Sequence, residues 1–84
     1  MANFFMILTL SSLTGPQVLF VTHPQSWENE LACVSALPKM ERAVERLIGY
    51  DPAALELFGA TAGGAPKRGY FVSASACRYA EPNP

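Results

Sequence analysis

Residues 3–23 read NFFMILTLSSLTGPQVLFVTH, and the fold turns on whether this stretch is a membrane span, an export signal or a pair of strands. Phe4, Phe5, Met6, Ile7, Leu8 and Leu10 open it, and Val18, Leu19, Phe20 and Val21 close it. Thr9, Ser11, Ser12 and Thr14 dilute the middle and Gly15-Pro16-Gln17 is turn chemistry, so there is no unbroken run of about 18 apolar residues to cross a bilayer. A secretory signal wants a basic leading segment, whereas the first basic residue is Lys39. The stretch therefore reads as a hairpin: a strand from about Asn3 to Leu13, a turn over Thr14 to Gln17, and a second strand from Val18 to about His23.

Working outward, Pro24 donates no ladder hydrogen bond and Ser26 is a favoured N-cap, so a helix is expected next. Glu28 and Glu30 fall in its first turn, where negative charge complements the helix dipole. Trp27, Leu31, Val34 and Leu37 recur at helical spacing and predict a buried face. Pro38 removes one ladder bond and clashes with the preceding turn, at a cost of about 3 kcal/mol, which predicts a kink or a restart there. Beyond it Met40, Val44, Leu47 and Ile48 should point inward, with Glu41, Arg42, Glu45 and Arg46 forming a solvated face. Gly49 reads as a C-cap, Asp51 as an N-cap and Pro52 as the first residue of a short helix ending at Phe58, with Gly59 as its terminator. Residues 60–69 (ATAGGAPKRG) lack periodicity and read as a flexible surface loop. Gly69 to Arg78 alternates as a last strand, and residues 80–84 form a frayed tail. The expectation is one α+β domain over residues 1–84: a three-stranded antiparallel sheet in ββααβ order, with one kinked or split helix and one short helix packed on it.

The whole chain supports a single core. Its 84 residues hide only roughly 60% of the surface their unfolded form exposes, so stability should be marginal without reinforcement. Half of the residues are hydrophobic and 15% are charged, against about 25% charged in ordinary globular domains. That excludes a disordered chain and leaves a thin polar surface. Six Lys and Arg against seven Asp and Glu give a net charge of -1, which offers no footprint for a phosphate backbone, so direct nucleic-acid binding is not expected.

Strand alternation sharpens the point. Phe4, Met6, Leu8 and Leu10 share one face of the first strand while Phe5, Ile7 and Leu13 share the other. In the second strand Val18 and Phe20 oppose Leu19 and Val21. Helices on one side leave a second apolar face, and an apolar patch beyond a few hundred Å² rarely stays bare on a monomer. Its cover is the short helix, the 60–69 loop, a second copy or another protein. Association, with a protein partner or as a homodimer, is the functional statement the pattern supports.

Cys33 in the helix and Cys77 in the last strand can meet across a helix-on-sheet layer. A bridge would close a loop of 44 residues and add about 4 kcal/mol in the chain-entropy model. Two buried reduced thiols are the equal alternative. By alternation Cys77 shares a face with Phe71, Ser73, Ser75 and Tyr79, and Tyr70, Val72, Ala74 and Ala76 form the more apolar face. Two Cys and the single His23 fall short of a four-ligand zinc site, so neither a metal nor a cofactor is expected. A Cys–His nucleophile pair needs an electropositive, partly exposed setting that these apolar surroundings do not promise, so the chain is expected not to be an enzyme. Gly63 to Gly69 lacks the Gly-Lys-Ser/Thr that opens a helix in a phosphate loop, and its basic pair precedes a strand instead. Lys67, Arg68 and Tyr70 remain candidates for partner contact, as does Trp27 if exposed.

An apolar opening strand pair, a helix entered through an aromatic residue with a Cys following (Trp27, Cys33) and a last strand carrying a second Cys (Cys77) loosely resemble small phage and prophage proteins, a class that includes anti-CRISPR proteins. The resemblance implies an inhibitor that occupies a surface of a host defence complex in the host cytoplasm. Many anti-CRISPR proteins are strongly acidic DNA mimics, and the charge of -1 departs from that pattern. A self-associating phage structural or accessory protein is the alternative.

Overall fold

The β1–β2 hairpin forms as its alternation dictates, and the rest of the chain builds around it. The computed structural model describes residues 3–58, 60–64 and 67–80. Strands β1 (Asn3–Ser12) and β2 (Val18–Trp27) are joined by the Leu13–Gln17 turn, which is closed by the Ser12 amide donating to the Gln17 carbonyl at 3.1 Å. A single helix α1 (Glu30–Tyr50) follows, then a 3-10 turn (Pro52–Ala54), a helical turn α2 (Leu55–Phe58), a short strand β3 (Ala60–Ala62) and strand β4 (Tyr70–Ala80). The fold is α+β with an antiparallel sheet in the order β3-β2-β1-β4. The sheet thus has four strands where three were expected. Residues 60–62, read as loop, pair with Phe20 to Thr22, and Gly63 turns the chain away with φ +105. A Cβ at Gly63 would lie 2.6 Å from the Val18 carbonyl oxygen, so the close approach that ends β3 needs glycine. Ala80, expected to begin the tail, is instead the last residue of β4, while the expected helix terminator Gly59, the rest of the tail and residues 65–66 of the expected loop lie outside the described residues.

Strand β2 runs four residues further than expected, to Trp27, with Pro24 inside it. Phe5 pairs with Ser26 and Ile7 with Thr22, so His23, Pro24 and Gln25 stand opposite Met6 alone. A bulge frees Pro24 from a ladder bond that it cannot donate, and β3 pairs only as far as Thr22, so no described residue of β3 pairs with Pro24. With Ser26 still in the strand, the helix N-cap moves to Asn29, whose Oδ1 accepts from the Ala32 amide at 2.8 Å. Helix α1 then passes through Pro38 without dividing. Cys33, Ala36 and Leu37 before the proline and Met40, Val44, Leu47 and Ile48 after it share one face on the core, and that shared packing offsets the lost bond. The expected buried stripe was out of phase at its start: Leu31 is 76% and Val34 44% exposed, because Cys33 sets the inward direction. The helix ends at Tyr50 rather than at Gly49, with the Asp51 amide bonded to the Leu47 carbonyl at 2.7 Å.

The core lies between the sheet and α1. Met6, Leu8, Leu10, Leu19 and Val21 come from the inner face, Cys33, Val44 and Ile48 from α1, and Leu55 from α2, all buried. Leu55 belongs to this same cluster, so α2 packs through it on the face that α1 covers.

Candidate functional site

Strand β4 decides what the uncovered face looks like. Thr9 pairs with Ala74 but Leu10 with Val72, leaving Ser73 as an extra residue in a bulge. Its hydroxyl sits on Ser11 Oγ at 2.7 Å and the Thr9 carbonyl at 3.3 Å. One extra residue reverses the phase of a strand. Uniform alternation put Phe71 with Cys77, and Tyr70 and Val72 with Ala74. In the structure Tyr70, Val72 and Cys77 pack on the core, while Ala74 and Ala76 pair with Thr9 and Ile7 on the other side. The inner face of β4 also holds Ser75, which donates to Glu41 Oε1 at 2.7 Å and draws that residue out of the otherwise exposed charged face of α1.

Cys33 and Cys77 are joined in a disulfide, with Cα atoms 6.1 Å apart. It ties α1 to an edge strand and strengthens a core built from few residues. As bridged, neither sulfur is a thiol, so the sulfur nucleophile considered beside His23 does not exist in this state. His23 rests against Trp27, ring centroids 5.6 Å apart, and its Nδ1 accepts from the Gln25 amide at 3.0 Å. Burial pushes the His23 pKa down from 6.5 by penalising the charged ring. No three described His, Cys, Asp or Glu residues come together as metal ligands, and no described helix is long and apolar enough to cross a membrane.

The four expected contact residues do not form one surface. Trp27 is half-buried against the core and pairs with Phe4 at one end of the sheet. Tyr70 is packed on the core opposite Ser12, eight residues along β1 and so about 26 Å away. Arg68 reaches the end of α1: Nη1 donates to the Gly49 carbonyl at 2.9 Å and Nη2 to the Tyr50 carbonyl at 3.5 Å. The last turn of α1 has no basic residue of its own, so Arg68 supplies the positive charge that its carbonyls favour. Lys67 is exposed.

What the residues do build is the outer face of the sheet. Phe20 and Phe71 are 43% and 37% exposed there, and a furrow of about 470 Å³ runs between Phe20 and Arg78 over Ile7, Thr9, Ala74 and Ala76. The furrow was not legible in advance because it requires the Ser73 bulge, which turns Ala74 and Ala76 outward beside Ile7 and Thr9. Chemically it offers small apolar side chains, threonine hydroxyls and one guanidinium. In comparisons with family models, curated proteins and solved structures, the chain matches none.

Proposed function

We propose that this chain is a non-catalytic protein-binding domain that engages its partner through the outer face of the sheet. One observation carries the reading: α1 and α2 both pack on the inner face, and the opposite face keeps Phe20, Phe71 and Val18 exposed among small side chains. An apolar sheet face of this kind marks an interaction surface. The resemblance to small phage proteins supports a narrower form, an inhibitor that blocks a surface of a host defence complex. A host-cytoplasmic site of action would expose the Cys33–Cys77 bridge to reducing thiols, against which it has the full burial of Cys33 as protection. The second reading, self-association, is favoured by β4, an edge strand of 11 residues whose outer side pairs with no described strand.

The test is a photo-crosslinking amino acid placed at Phe20, and at Arg42 on the exposed side of α1 as a control, in chains expressed in the cells of origin. The expected result is an adduct to a different protein from position 20 and none from position 42. Adducts to a second copy alone would transfer the face to self-association, and equal labelling from both positions would contradict the reading.

A further inference from the structure

We propose that the occupant of the furrow is an amphipathic α-helix of the partner protein, seated along the sheet with a carboxylate against Arg78; this rests on the outer face being the docking surface. Shape supports a helix. The furrow is concave and open to solvent, and an α-helix offers a convex ridge about 10–12 Å across. A second copy related by a two-fold axis would set the same concavity against itself and leave a void where interfaces are close-packed. A small molecule would need walls that enclose most of its surface, which an open furrow does not provide.

The floor supports close approach. Ala74, Ala76 and Thr9 are short beside Ile7, and Phe20 lies between Thr9 and Ala62 across the strands, so a helix can settle over the β1 and β4 side chains with the phenyl ring along its flank. Charge fixes the orientation. Among the described residues Arg78 is the one charged residue lining the furrow, it is exposed, and it has no hydrogen-bond or ion-pair partner. A guanidinium beside an apolar trough is satisfied by a carboxylate, in bidentate geometry where the partner permits it.

The full-length, disulfide-bonded chain, isotopically labelled, is titrated with two synthetic amphipathic helices of about 14 residues, roughly 21 Å long. They share one Leu/Ala stripe and differ only in a Glu or a Lys at its border. The Glu helix is expected to shift the resonances of Thr9, Phe20, Ala74 and Ala76, and to bind roughly tenfold more tightly than the Lys helix. Arg78→Glu should invert that preference and Arg78→Gln should abolish it. Arg46→Glu, on α1, should leave it unchanged. Equal affinity for the two helices, shifts confined to the α1 side, no shifts at all, or a dimer already covering these residues would each overturn the proposal. If crosslinks form from position 20 while these helices fail to bind, the helix inference falls and the docking face stands; if both experiments fail, both readings fall.

Discussion

The two faces of one sheet are made from neighbouring residues of the same strands, yet they have different physical fates. Leu19 is fully buried and Phe20, the next residue, is 43% exposed; Leu8 is buried between Ile7 and Thr9, which line the open furrow. Alternation delivers apolar side chains to both sides, and both helical elements are spent on one of them. The difference teaches that in so small a chain the hydrophobic material exceeds what one core can hold. Part of the surplus, Val18, Phe20 and Phe71, lies on the outer face of the sheet, and part stands elsewhere, as Leu13 in the turn and Leu31, Val34 and Tyr50 on α1.

The largest expected effect tests the covered side. Replacing Cys33 and Cys77 with serine removes a cross-link over 44 residues and should lower the unfolding free energy by about 4 kcal/mol, read by urea denaturation with and without reductant. A variant as stable as the parent would mean that the helix layer holds to β4 without its bridge. Next comes the adjacent pair. Leu19→Ala should cost about 3 kcal/mol through lost burial and a cavity, whereas Phe20→Ser should change stability by less than about 1 kcal/mol. Similar losses at the two positions would break the distinction between the faces.

Much of this division is legible in the chain. The β1–β2 hairpin, a last strand read over Gly69 to Arg78, the helical segment after Asp51 and the doubly apolar sheet follow from alternation, turn chemistry and caps. The departures share a physical origin in long-range pairing that no local pattern encodes. Ser73 and the His23–Gln25 segment bulge because β1 dictates their register, and the first of these reverses which residues of β4 face the furrow. Residues 60–62 become a strand only because β2 offers them an edge. Arg68, read as a contact residue, is committed to carbonyls that lie 18 and 19 positions earlier in the chain.

Two smaller effects sharpen the comparison at the ends of the covered side. Arg68→Ala removes the cation at the α1 C-terminus and should cost about 0.5 kcal/mol, with faster amide exchange confined to residues 47–51. Burial lowers the pKa of His23 in the fold, so the unfolded chain binds the extra proton first as the pH falls. Its contribution is therefore intact above about 6.5, is lost as the pH drops from there to the lowered folded value, and changes no further below it. His23→Gln should flatten that segment of the stability–pH curve, measured by thermal melts at matched ionic strength.

Solvent access to the two faces of the free protein can be read directly by adding a soluble paramagnetic agent to the labelled chain and measuring relaxation residue by residue. The side-chain signals of Phe20 and Ala74 should broaden strongly, while those of Leu19, Leu8 and Val21 stay sharp. Phe20 and Ala74 protected to the same degree as Leu19 would contradict an outer face left open for another protein.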